Sequence, residues 1–335
     1  MNDINTWLDH VRQAATGYEF ASFLVGIEEK GGRESPEGAL LKRKAGAILQ
    51  GEWRGTRRLD FQDPDVTFVI VPAKNRVNVQ TKSLYFYGRY LKHRRDLPQT
   101  VWHCKRCRGR GCRECGGTGK THPTSVQEII AAPFVREALA KEGLFHGAGR
   151  EDIDVRCLGA GRPFVIEIGG PKRRTFPVAP LVEEVNRSDG VRTTPLIPVR
   201  RDAVAVLKGM VPDKTYRALV ELGAPHPSED AVRATLASFR NTVIHQRTPQ
   251  RVSHRRADLT RERTIHTVEL LSYAPPNLEI SLTAESGAYV KEFMTGDEGR
   301  TQPCLTGALG TILKPLELDV LEVKMDDSWI EKYRL

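Results

Sequence analysis

Four of the six cysteines, Cys104, Cys107, Cys112 and Cys115, fall within twelve residues as two C-x-x-C pairs. Each pair forms a tight knuckle that can grip one ion, and four thiolates complete the closed tetrahedral shell of a structural Zn²⁺. Arg108-Gly109-Arg110-Gly111 and Gly116-Gly117 supply the turns such knuckles need. With no His or carboxylate in the set, no coordination position stays open for chemistry, so the predicted role is structural. Such a nodule over residues 101–122 divides the 335-residue chain into a leading stretch, 1–100, and a larger trailing domain, 123–335. Paired thiols of this kind belong to a reducing compartment. The first twenty residues carry no apolar core of a signal peptide, and no run of about 18 apolar residues occurs. The expected location is cytoplasmic, with no membrane contact.

The leading stretch reads as a small α+β domain. Trp7, Val11, Ala14 and Ala15 share a helical face, and a second helix is predicted over Ala39–Gln50. Val66–Val71 and the alternating Arg76–Gln80 read as strands around a turn at Ala73-Lys74-Asn75. Ser83–Arg95 interleaves aromatic and basic residues, which suits base stacking with phosphate contact, or a core strand ending in a solvated basic turn. Beyond the cysteines, Ser125-Val-Gln-Glu128 fits a capping box, and Pro133 is expected to interrupt the helix that follows. Strands are predicted over Phe164–Ile168, Ala203–Leu207, Thr264–Ser272, Leu278–Thr283 and Leu318–Lys324, and helices over Pro180–Ser188, Ser228–Arg240 and Gly307–Ile312. This order describes an α+β domain with a large mixed or antiparallel sheet rather than regular βαβ winding.

Two charged segments carry the functional signal. In Gly149-Arg150-Glu151-Asp152-Ile153-Asp154-Val155-Arg156, alternation puts Asp152 and Asp154 on one face and Ile153 and Val155 on the other. A carboxylate held beside arginines at a loop–strand junction suits a nucleophile or a base, and a surface ion-pair cluster is the competing reading. Arg247–Arg263 carries six arginines, among them Arg251, Arg255 and Arg256, against two acidic residues. A protruding loop or hairpin gripping a phosphate backbone fits that imbalance. The formal net charge of +9 also favours a polyanionic partner. Lys291, after the apolar Ala288-Tyr289-Val290, is expected to point one cation inward from a strand or to lie at its edge. Two phosphate-loop look-alikes fail. In Gly116–Thr121 the first glycine of the motif falls at Glu114, and Leu158–Gly161 precedes a strand where a helix is required.

Taken together, these segments resemble the archaeal and eukaryotic tRNA pseudouridine synthases that act on the TΨC arm, at uridines 54 and 55. The resemblance covers most of the chain. It rests on the cysteine knuckles with Gly116–Lys120, GREDIDVR with Gly161-Arg162-Pro163-Phe164, and Lys214–Ala218. Arg247–Arg256, Gly287–Phe293 and Gly299–Thr301 add to it. It implies a pseudouridine-synthase catalytic domain preceded by a THUMP-like RNA-binding domain ending near Ser83–Arg95, with tRNA as partner, no organic cofactor and no obligatory protein partner. Register with related anticodon-arm enzymes makes Asp152 the essential aspartate, nucleophile at C1′ or base at the 2′ proton, with Asp154 the alternative. Arg150 or Lys291 would hold that carboxylate ionised. Tyr216 would stack on the flipped uracil and accept the C5 proton, while Val290 and Leu318 would line its pocket. Longer family members carry a further C-x-x-C pair near the N-terminus that this sequence lacks. A non-catalytic zinc-ribbon tRNA-binding or RNA-processing factor is the reading from another class.

Overall fold

Trp7, Leu8, Val11 and Ala15, spaced three or four apart, form the buried stripe of a helix over Ile4–Ala15. A second helix, Pro36–Glu52, starts where Ser35 accepts a hydrogen bond from the Gly38 N–H (3.0 Å), with Pro36 in the first turn. Both pack on a four-stranded sheet ordered Arg58–Leu59, Ser22–Ile27, Val66–Val71, Arg76–Thr81. Phe20, Phe23, Trp53 and Phe68 cluster edge-on in its core. The computed structural model describes residues 3–29, 31–32 and 34–335; the side chain of Arg255, assigned above to RNA contact, lies outside the described residues.

Leu84–Lys92 belongs to a different sheet. It pairs antiparallel with Arg156–Gly169, so the break between sheets falls between Thr81 and Leu84 rather than near residue 100. Tyr85, Phe86, Tyr87 and Tyr90 are buried, so this strand is aromatic core and offers no stacking surface. Its basic end is occupied too. Arg94 pairs with Asp96 and Asp189, and Arg95 pairs with Glu317 and Asp319.

That second sheet has eleven strands. The path runs Thr301–Gln302, Thr242–Arg247, Thr260–Ala274, Asn277–Ala284, Lys214–Leu222, Leu313–Val323, Arg156–Gly169, Leu84–Lys92, Val191–Thr193. Glu142–Gly147 and Ile197–Val199 pair off it. Among the described strands of this sheet one pairing is parallel: Leu313–Val323 beside Arg156–Gly169, through Asp319↔Arg156 and Val320↔Cys157. The two halves of the sheet meet there. The mixed α+β architecture is therefore the one expected from sequence.

Backbones approach closely at this seam. Gly159 sits at φ +57°, and a Cβ on it would meet the Leu321 carbonyl oxygen at 2.1 Å. Gly159→Ala combines a left-handed backbone with a clash that no rotamer relieves, and should cost about 2–4 kcal/mol. Urea denaturation read by circular dichroism checks this, and an unchanged midpoint would show the seam to be looser than drawn.

Three local expectations are corrected. The helix Val126–Glu137 runs through Pro133 without a break. The hydrogen bond lost at Ile129 is outweighed by Val126, Ile130, Ala131 and Phe134, all buried against the sheet. Ala203–Leu207 is helical, within Asp202–Gly209, because Ala203 and Leu207 bury together on one face beside Tyr85 and Val199. Val290–Thr295 is a short helix, so Lys291 stands in its first turn and not on a strand. Among the described residues no helix is long and apolar enough to cross a membrane.

Candidate active site and metal centre

The GREDIDVR segment is a turn entering Arg156–Gly169, not an extended strand. Gly149, at φ +79°, lies where a Cβ would press on the Arg162 guanidinium at 3.2 Å. Glu151 points down into the protein and Asp152 toward a cleft, and the difference comes from what lies beneath. Tyr90 Oη donates to both Glu151 carboxylate oxygens (2.8 and 2.7 Å), and Gln99 Nε2 adds a 3.3 Å bond. Arg162 Nε stands 2.9 Å from Glu151 Oε2, an ion pair rather than an aligned hydrogen bond, with both side chains 1% exposed. Lys92, fully buried, donates to the carbonyls of Leu97, Asp152 and Ile153. The turn is thus fixed from below through Glu151 and its own carbonyls. Burial, with the Glu151 charge, raises the Tyr90 phenol well above its ordinary value, so it remains an O–H donor.

Above this floor, Asp152 Oδ2 meets Arg251 Nη1 at 2.9 Å and Lys291 Nζ at 3.8 Å. Lys291 lies closer to Asp154, at 2.9 and 2.7 Å from its two oxygens. Burial acts to raise the Asp154 carboxyl, but the Lys291 hydrogen bond and charge outweigh it and hold the group below its ordinary value. Arg251 is itself held, with Nε 2.5 Å from Glu292 Oε1, a carboxylate 4% exposed. A single guanidinium therefore bridges Glu292 and Asp152. The cation facing Asp152 from the basic hairpin is Arg251; Arg150 places its guanidinium over Trp102 instead, 5.6 Å from the ring centroid.

The cleft has a volume of about 720 Å³, within the range of small-molecule sites. It brings together Asp152, Asp154, Tyr216, Val290, Leu318, Arg150, Arg251, Arg256 and Lys291. Tyr216 comes from Lys214–Leu222, and burial pushes its phenol up to about 12. Arg256 donates to Tyr289 Oη at 2.8 Å. The arginine segment is a hairpin: Thr242–Arg247 pairs with Thr260–Ala274, and a 3₁₀ turn over Gln250–Arg255 caps it. Asp258 occupies Arg247 and Arg300, each at 2.6 Å.

Sequence reasoning missed Glu151, Arg162, Tyr90, Lys92 and Lys214 as parts of the site. The available signal was Lys92 and Arg162, charges within strands that also carry Tyr90, Leu91, Phe164 and Val165, where a buried charge calls for a partner. Lys214 Nζ donates to Ser286 Oγ (2.9 Å) and the Pro212 carbonyl (3.0 Å) in the cleft wall. Burial, reinforced by the Arg162 charge, lowers its ammonium from 10.5 to about 8. The unfolded chain therefore holds this proton more tightly. Stability from Lys214 is present above the ordinary amine value and is lost as pH falls through about 8, by up to about 3 kcal/mol. Lys214→Met should flatten the rise in stability between about pH 8 and pH 10.5, read by urea melts; equal slopes in the two proteins would contradict the burial cost.

Away from the cleft, the four cysteine sulfurs lie within 4.8 Å of one another. Neighbouring Sγ atoms are 3.7–3.9 Å apart. Metal–sulfur bonds of about 2.3 Å in a tetrahedron give sulfur–sulfur edges of about 3.8 Å, so the set fits one tetrahedral ion. The Cys112 and Gly119 N–H groups donate to Cys115 Sγ (3.2 Å each), and against the cost of burial they lower that thiol to about 6. Lys120 then ties the nodule to Glu128 at the following helix (2.6 Å), where the expected N-cap Ser125 accepts from the Glu128 N–H (3.2 Å) and its hydroxyl donates to the Glu128 carboxylate (2.8 Å).

A family model described as Pus10, C-terminal, matches residues 85–324, from the first strand of the large sheet to its last. The chain belongs to the Pus10 family. Curated relatives named tRNA pseudouridine synthase Pus10 agree with this. The one from Methanothrix thermoacetophila is 41% identical over 84% of this chain and 62% of its own length. That from Methanocaldococcus jannaschii is 42% identical over 82% and 60%. The Archaeoglobus fulgidus relative is 35% identical over 96% of this chain and 92% of its own length. This chain therefore spans about three fifths of the first two Pus10 relatives and nearly all of the third.

Proposed function

We propose that this protein isomerises uridine to pseudouridine in the TΨC arm of tRNA, at position 54, 55 or both. The observation that carries the reading is Asp152, held on a rigid floor and facing one cleft together with Tyr216, Val290 and Leu318. The reaction breaks C1′–N1, turns the uracil and forms C1′–C5; the C5 proton leaves and N1 gains one. It is redox-neutral and moves no atoms to a second molecule, so it needs no organic cofactor. Asp152 acts at C1′ as nucleophile or at the 2′ proton as base, with Arg251 and Lys291 beside its carboxylate at 2.9 and 3.8 Å. Val290 and Leu318 exclude water from the uracil, and Tyr216 stacks on it. A phenol pushed up to about 12 stays protonated at neutral pH. Tyr216 can accept the C5 proton only after giving up its own, and the departing N1 is a suitable acceptor.

On this reading the four-cysteine nodule holds a structural Zn²⁺, whose chemistry is to clamp the two knuckles and nothing in the reaction. Residues 3–81 form a THUMP-like RNA-binding domain, and the protein works on tRNA in the cytoplasm. Tritium release from C5-labelled uridine in a tRNA transcript, followed by mapping of the modified position, tests the activity. Binding with complete retention of the label would favour a non-catalytic zinc-ribbon RNA-binding factor. Metal analysis should give one zinc per chain.

A further inference from the structure

Four tryptophans occur in the chain, and three of them fill hydrophobic clusters. Trp7 and Trp53 sit in the core of the small sheet, and Trp329 packs on Tyr87. Trp102 belongs to none of the hydrophobic clusters of the described residues and instead lines the cleft that holds Asp152. A half-buried indole on the wall of a polar cleft is a large flat surface with no packing partner of its own size.

Its position is set by the cysteine nodule. The Thr121 N–H donates to the Trp102 carbonyl (2.8 Å), His103 bridges Lys120, and the Cys104 N–H donates to the Gly119 carbonyl (2.7 Å). His122 meets the indole edge-on, with ring centres 5.0 Å apart at 76°, and fixes its plane. The Arg150 guanidinium lies over the ring at 5.6 Å, so the residue directly before Glu151 links the indole to the catalytic turn. On the cysteine nodule that follows Trp102 in the chain, the exposed Lys105, Arg108 and Arg113 form no ion pair among the described residues. A fixed aromatic plane backed by a cation, on an element that also carries exposed cations, suits stacking of one base with phosphate contact nearby.

We propose that Trp102, backed by Arg150, forms a base-stacking subsite for the nucleotide adjoining the target uridine, held in place by the cysteine nodule. This rests on the isomerase reading above and extends it: once the target base leaves the stack, its neighbour loses a stacking partner and takes the indole instead. The nodule then has a substrate-facing task, aiming one side chain.

The experiment uses the full chain with its metal and tRNA transcripts carrying a single abasic nucleotide 5′ or 3′ of the target. Trp102→Ala should lower kcat/KM by about 10- to 100-fold, mainly through KM, while Trp102→Phe keeps most of it. One abasic neighbour should lower the wild-type value by the same factor and leave Trp102→Ala unchanged. Independently of turnover, 2-aminopurine at that neighbour should be quenched on binding wild type or Trp102→Phe and stay bright with Trp102→Ala. Abasic penalties of equal size in wild type and Trp102→Ala would overturn the proposal, as would unchanged quenching. If Trp102→Ala fails to fold, the wild-type abasic series and Trp102→Phe still decide. Quenching without tritium release would sink the isomerase reading and spare the stack, whereas tritium release indifferent to Trp102 would do the reverse.

Discussion

Asp152→Asn is expected to reduce pseudouridine formation by at least about 10,000-fold, the scale on which loss of a single essential group is felt. The substitution keeps the side-chain shape and removes only the charge, so the fold should persist. Affinity for tRNA should hold or increase slightly, since one negative charge leaves the wall of a site that receives a polyanion and Arg251 loses one of its two carboxylate partners. Asp154→Asn provides the contrast. That carboxylate is 58% exposed and pairs with Lys291, which stands only 3.8 Å from Asp152 and can turn to it. A loss of less than about tenfold is expected there. Single-turnover assays with filter binding on both variants separate chemistry from binding. Full turnover by Asp152→Asn would move the catalytic role to Asp154.

The largest effect on stability should come from the pair beneath. Glu151→Gln or Arg162→Met each leaves a buried group without its partner, and about 3–5 kcal/mol should be lost in urea denaturation. Arg162→Met also removes the bond from Nη1 to the Ala148 carbonyl (2.9 Å), which holds the glycine turn ahead of Asp152. The double variant Glu151→Gln, Arg162→Met should be less destabilised than the sum of the two, because it no longer leaves Arg162 charged without a carboxylate; the Lys92 ammonium, 4.0 Å from Glu151, loses its partner in both the single Glu151 variant and the double. Additive losses would mean that the two side chains act separately. Both single variants should lose turnover at temperatures where they remain folded, since the turn that aims Asp152 rests on them.

Local signals were legible in the sequence. The knuckles, the N-cap at Ser125 and the helix around Ala39–Gln50 each depend on residues within a few positions of one another. The cleft residues Asp152, Tyr216, Val290, Lys291 and Leu318 came from motif resemblance, and the fold brings them to one place. What stayed hidden depends on distant partners. Glu151 and Asp152 are adjacent acidic residues with nothing local to tell them apart; Tyr90, 61 positions from Glu151, makes that one an anchor and leaves Asp152 to face the cleft. Ala203–Leu207 looks like a strand by its β-branched residues, yet burial of Ala203 and Leu207 on one face decides for helix. The aromatic strand Leu84–Lys92 was misplaced because pairing, unlike composition, is not written within the segment.

The parallel seam has a consequence for how the cleft is divided along the chain. One half-sheet uses strands from residues 84–199 and the other uses strands from 214–323. The first block supplies Asp152 and its support, and the second supplies Tyr216, Arg251, Lys291 and Leu318. Two residue pairs join the blocks at the seam, flanked by two polar clasps: Asp319 with Arg95 and Arg156, and Asp327 with Arg89. The cleft is therefore a property of the joint. A few degrees of twist between consecutive stretches of chain would widen or narrow the gap between the aspartate and the tyrosine, without unfolding either side.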